Sequence, residues 1–205
     1  MPILPAINPG PVDWSGENPG ILLKEDPDGP FSAMALFFRI NYSPAGQGQA
    51  LLLYEDPHKA AGPPTLQNAF YTDNVALAEH LRDTFIAKLA AFAEAPAFQG
   101  LQIAPLDRVE TIGDPRDRYA EVVRAGDTQI ELLWEDLGEP VALELPPSLT
   151  GPKDREMYTL LVESRRASIS INGRKLKGEP APRVQAGIET TTAFLYFAET
   201  WMWAQ

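Results

Sequence analysis

Few residues in this chain have both the type and the spacing that chemistry requires. There are two histidines and no cysteine among 205 residues. Without cysteine there is no thiolate nucleophile, no disulfide framework and no Cys-ligated zinc or iron–sulfur cluster. His58 follows Glu55-Asp56-Pro57 and His80 lies off the apolar stripe of its segment, so neither has the i,i+4 or His-x-His spacing of a metal pair. A transition-metal site would have to gather carboxylates from distant segments, and no metal or cofactor is expected. A G-x-S-x-G elbow and the two glycine-rich phosphate motifs are absent as well.

Three side chains remain as candidates for acid–base or nucleophilic work. Period 2 places Glu199 on one strand face with Leu195, Phe197, Trp201 and Trp203, where an inward carboxylate would have its pKa raised. Lys88 falls inside a helical apolar stripe, where a desolvated amine would act as base or Schiff-base nucleophile. The plainer reading is a stem lying along apolar surface with its ammonium in water. His58, with Asp56 beside it, is the third.

Binding candidates come from charge and aromatic content. The chain has 17 Lys plus Arg against 28 Asp plus Glu, a net charge of −11. A body so acidic is repelled by nucleic-acid backbones and by anionic membrane surfaces. Residues 153–183 are the exception, with eight basic and four acidic side chains. Arg165, Arg166 and Arg183 are the guanidinium groups there suited to a carboxylate or phosphate, whereas Arg174 and Lys175 follow a hairpin turn and point to water. An ordinary basic strand edge is the plainer account of the segment. Five of the nineteen aromatics lie between Phe194 and Trp203. With Trp134, the side chains of Phe197 and Trp201 are the expected apolar lining of a ligand cavity, and such a run also suits core packing or a homo-oligomer interface.

The elements that must position these groups are mostly strands. Residues 1–30 carry seven prolines and no period of 2 or 3.6, which reads as an irregular Pro-rich arm. Phe31–Tyr42 is apolar on both faces and predicts a central strand paired with 49–55. A loop follows to 67. Leu77, Ala78, Leu81, Phe85, Leu89 and Phe92 then recur at three- and four-residue spacing, predicting one long amphipathic helix over about 73–94, roughly 30 Å. Beyond Gly100 the pattern is strand and turn: Ile130, Leu132 and Trp134 alternate with polar residues, and Asn172-Gly173 is a type I′ hairpin signal.

The expected fold is α+β but mostly β: about nine antiparallel strands curled into a barrel, with the helix packed on or in it, in a single domain spanning 1–205. No signal-peptide pattern and no run of about 18 apolar residues occurs, which favours a cytoplasmic protein. The expected function is binding of a small apolar or amphipathic anion inside the barrel. The alternatives are a metal-independent isomerase, dehydratase or thioester hydrolase using a barrel carboxylate, and a protein–protein interaction module.

Overall fold

Alternation along Phe31–Tyr42 sets the architecture. Met34, Leu36, Phe38 and Ile40 enter one hydrophobic core, while Ala33, Ala35 and Phe37 enter a second on the opposite face. Successive side chains of a strand point to opposite faces, so a strand apolar on both sides must be covered on both. The computed structural model, which describes residues 10–60 and 68–203, supplies both covers.

Its strands are β1 (Val12–Glu17), β2 (Gly20–Lys24), β3 (Phe31–Tyr42), β4 (Gly48–Tyr54), β5 (Asn68–Thr72), β6 (Gln102–Pro105), β7 (Arg108–Asp114), β8 (Arg118–Ala125) and β9 (Thr128–Leu137). They continue with β10 (Val141–Leu145), β11 (Arg155–Ile171), β12 (Arg174–Lys175), β13 (Glu179–Pro180), β14 (Pro182–Gln185), β15 (Ile188–Thr191) and β16 (Ala193–Met202). Helix α1 spans Val75–Thr84 and α2 spans Ala90–Ala93. The mostly-β expectation holds, with 58% strand and 11% helix. Among the described residues no helix is long and apolar enough to cross a membrane.

Four expectations need correction. First, the sheet is not a closed barrel. Its order runs β6-β5-β4-β3-β1-β16-β11-β9-β8-β7, so β6 and β7 are its two ends. The chain steps directly between those ends, with Leu106 N–H donating to the Thr72 carbonyl and Asp107 N–H to that of Arg124. Second, the sheet is mixed: β5 and β6 are parallel, because the helical segment carries the chain back across between them. Third, residues 12–17 and 20–24 of the expected irregular arm are strand. β1 and β2 lie end to end between β3 and β16, interrupted at Asn18-Pro19. The prolines sit where the ladder needs only an acceptor: the Pro19 carbonyl takes the Phe37 N–H and the Pro11 carbonyl takes that of Met202. Residues 1–9 of that arm, and 61–67 of the expected loop, lie outside the described residues.

The fourth correction is the long helix. Asn74 caps α1, its side chain accepting from Leu77 N–H at 3.2 Å. The helix then stops after ten residues. Arg155 Nη2 donates to the Thr84 carbonyl at 2.8 Å, the acceptor that a continuing helix would offer to the Lys88 N–H. Lys88 N–H turns to the Phe85 carbonyl instead, in a 3-10 turn over Ile86–Lys88, and Leu89 is extended before α2. The expected apolar stripe is still buried at Leu77, Ala78, Leu81, Phe85 and Phe92. Each large side chain so buried contributes about 1.5–3 kcal/mol.

β11 serves both layers. Its first half pairs β16 and β10 in the central sheet, and from Ser164 on it pairs β9. With β8 and β7 this second half folds back over the β3 face and closes the second core. At the crossing the inward residues change parity. Val162 and Ser164 are buried, Arg165 and Arg166 are both exposed, and Ala167 and Ile169 are buried. The Ser164 hydroxyl, 2.8 Å from the carbonyls of Glu135 and Arg166, pins the corner.

Candidate functional site

Two buried ionic clusters come first, since charge inside a protein demands an explanation. Between the two layers, Arg39 bridges Glu17 at 2.5 Å and fully buried Glu121 at 2.8 Å. Tyr119 Oη donates to Glu121 at 2.7 Å, and Thr111 Oγ1 lies 3.0 Å from the same carboxylate. Burial raises the Glu121 pKa, opposed by the Arg39 charge and by bonds from Tyr119 and Thr111. Burial also works against the Arg39 charge, but Glu121 and Glu17 more than offset it. The second cluster ties β1, α1 and β11. Asp13 pairs with Arg155, 1% exposed, and lies 3.0 Å from His80 Nε2. Arg155 also reaches Asp154 at 3.0 Å. In both clusters the arginine and carboxylate groups already face one another, so they read as staples between elements.

The unpaired polar groups gather elsewhere. A cavity of about 230 Å³ lies between the sheet, the broken helical segment and the β10–β11 pair. Leu22, Leu36 and Phe194 form its floor, and Phe85, Leu89, Phe92, Leu145, Leu149 and Met157 its walls. Its polar lining includes Asn18, Arg183, Gln185 and Tyr196. Within these four residues, Asn18 Oδ1, Arg183 Nε and Nη2, Gln185 Oε1 and Tyr196 Oη are buried with no partner in full hydrogen-bond geometry among the described residues, although Tyr196 Oη stands near enough to Arg183 and Gln185 to interact with both.

Local sequence explains how they converge. Phe194 and Tyr196 lie on the same face of β16, their rings 4.5 Å apart. Gly20 on the neighbouring strand leaves the space that the Phe194 ring fills, since a Cβ there would stand 2.6 Å from its Cζ. Asn18 N–H donates to the Tyr196 carbonyl at 3.0 Å, and both residues line the cavity. Arg183 and Gln185 arrive on the β14–β15 hairpin, a two-stranded sheet of its own among the described residues. The hairpin is hung from Thr192, whose N–H donates to Ala181 O at 2.9 Å and whose hydroxyl donates to Leu22 O at 2.6 Å. Alternation turns Arg183 and Gln185 inward and leaves Val184 70% exposed. The Arg183 guanidinium lies over the Phe194 ring, 4.6 Å from its centroid. Burial lowers the Arg183 pKa, partly offset by Tyr196. Burial pushes Tyr196 up to about 12, held back by the Arg183 charge and by polar contact with Arg183 and Gln185, so the phenol keeps its proton at neutral pH.

Of the expected ligand residues, Arg183 is the one brought to this cavity. Arg165 and Arg166 are the two outward residues at the β11 corner, and Arg165 pairs with Glu163 at 2.6 Å. Trp134 is buried in the second core, its Nε1 donating to Gly20 O at 3.1 Å. Phe197 packs on the same core, and Trp201 Nε1 donates to Glu199 at 2.7 Å. The expected acid–base residues are also elsewhere. Glu199 holds that indole from the face opposite the cavity. Lys88 is turned outward by the helix break and pairs with Asp154, whose pKa stays low against burial because Lys88 and Arg155 bond to it. His58 is exposed in a turn whose N–H donates to Asp56 Oδ1 at 3.1 Å.

Sequence reasoning missed Asn18, Gln185 and Tyr196 as polar partners, along with the hairpin that delivers two of the site's side chains. Larger hollows of about 660–830 Å³ exist, but they are surface troughs edged by charged groups such as Lys24, Lys177 and Asp73. Among the described residues no group of three or more His, Asp or Glu stands close enough to hold a metal ion. In comparisons with known proteins, the chain matches no family model, no curated protein and no solved structure, so the chemistry of this cavity has to be read from its own side chains.

Proposed function

We propose that the chain is a binding protein for a small amphipathic anion, held with its apolar body among Phe85, Phe92, Leu145 and Met157 and its charge on Arg183. The observation that carries this reading is the unpartnered Nε and Nη2 edge of Arg183 at the end of an apolar cavity. Those two donors form the side of the guanidinium that grips a carboxylate through parallel bonds. A buried cation with no counter-charge is costly, and an anion seated there removes that cost. The cavity is smaller than the ~300–1,000 Å³ of sites for drug-sized molecules, so the ligand is of the size of a single ring or a short chain. This reading calls on no metal or cofactor.

The test is calorimetric titration with 3-phenylpropanoate, its neutral amide as control, and an Arg183→Met variant. The acid should bind saturably and the amide more weakly. Arg183→Met should weaken the acid by about 1.5–3 kcal/mol, the range for hydrogen bonds to a charged group, with the melting temperature checked alongside. No saturable binding of the acid up to millimolar concentration, or equal binding by the variant, would sink the proposal.

A further inference from the structure

The cavity's polar end presents more than an anion clamp, and its unpaired groups are of two kinds. Arg183 Nε and Nη2 are donors, and Tyr196 Oη can also donate. Gln185 Oε1 and Asn18 Oδ1 can only accept. A bare carboxylate satisfies the first group and leaves both amide oxygens buried and unpaired, at the usual cost of such groups. A ligand with a hydrogen-bond donor next to its carboxylate pairs one of these oxygens as well. Among the described residues no Asp or Glu lines the cavity. An ammonium donor would therefore enter an apolar site without a counter-charge of its own, facing Arg183 with only one carboxylate between them. A phosphate dianion would meet a single cationic side chain. The donor must be neutral and the anion single.

We infer that the ligand is a monocarboxylic acid bearing a hydroxyl beside the carboxylate and a short apolar or aromatic tail: a 2-hydroxy acid. This rests on the anion-binding reading above and specifies it. The carboxylate lies on the Nε–Nη2 edge of Arg183 and receives the Tyr196 hydroxyl proton. The ligand hydroxyl donates to Gln185 or Asn18. The tail lies among Phe194, Phe85 and Phe92. Because burial keeps Tyr196 protonated at neutral pH, it remains a donor.

The experiment compares three acids of one skeleton on the wild-type chain by calorimetry: 3-phenylpropanoate, 3-phenyllactate (its 2-hydroxy form) and phenylalanine (its 2-ammonium form). The 2-hydroxy acid should bind at least tenfold more tightly than the plain acid, and the amino acid at least tenfold more weakly than the hydroxy acid. In a Gln185→Leu, Asn18→Ala double variant the ratio of the hydroxy-acid affinity to the plain-acid affinity, both measured on that variant, should fall from tenfold or more to about one. Equal binding of hydroxy and plain acids by the wild type would overturn the 2-hydroxy inference and leave the anion reading standing. Binding of phenylalanine as tight as that of the hydroxy acid would overturn the neutral donor. Failure of all three to bind would remove the anion reading itself.

Discussion

Arg39 shows how much a single side chain can hold. It supplies the positive charge opposite Glu121, which is fully buried, and opposite Glu17 at the junction of the two layers. Arg39→Met strands that carboxylate, and removing one partner of a buried pair costs about 3–5 kcal/mol. The loss should depend on pH in a defined direction. Burial already raises the Glu121 pKa above its unfolded value, and Arg39 is the main force opposing that rise. In the variant the folded state therefore holds the proton more tightly still, so its stability falls as pH climbs through the raised folded pKa and is regained on acidification. Denaturant titrations of both proteins at pH 5 and pH 8 should show the smaller deficit at pH 5. An equal deficit at the two values would mean that Glu121 is not its origin. Arg183 teaches a different lesson at the same scale. Its basic segment was legible, but its inward orientation was not. In β14 the apolar Val184 faces water while Arg183 and Gln185 face in, the reverse of the pattern by which a strand's buried face is read from sequence. A hairpin built to deliver polar groups to a cavity looks, residue by residue, like one with its polar face outward.

Elements were legible where burial and periodicity agree. β9 alternates cleanly, and Ile130, Leu132 and Trp134 are all fully buried. Asn172 and Gly173 take φ of 50° and 78°, the two positive values that the hairpin signal requires. Elements were missed where a partner elsewhere in the chain decides. β1 and β2 hide among prolines because what the ladder uses there is carbonyls. β5 is five residues, Asn-Ala-Phe-Tyr-Thr, all buried and too short to show a period. The break in the helix is set by Arg155, seventy-one positions from the carbonyl it occupies. The stripe itself survives the break. Phe85 is 3% exposed and meets Trp14 edge-on at 5.4 Å and Phe38 at 6.2 Å. Phe85→Ala should cost about 3–5 kcal/mol in a denaturation titration. A loss below about 1 kcal/mol would mean that the helical layer contributes little to holding the sheet.

At the scale of the whole molecule, the many short strands predicted a curled sheet, and the sheet does fold back on itself. What no local pattern carried is the seam, where β6 passes into β7 without the two strands pairing, and the corner, where one strand belongs to both layers. The corner has a consequence for how this chain tolerates changes of length. Toward the second core the two halves of β11 are in antiphase: even Val162 turns to it ahead of the corner and odd Ala167, Ile169 and Ile171 beyond it, with the adjacent arginines absorbing the offset. Loops such as Pro146–Pro152 can gain or lose a residue and leave every strand's faces as they were. Removing Arg166 alone would bring the halves into step, turn Ser168 and Ser170 toward the second core and send Ala167, Ile169 and Ile171 to solvent. A one-residue deletion here thus amounts to inverting a layer. The deletion should abolish cooperative thermal unfolding, while an Arg165→Ser, Arg166→Ser double substitution, which keeps the count and discards both charges, should unfold cooperatively near the parent temperature. Equal cooperativity in the two variants would show that the offset lies somewhere other than the paired arginines.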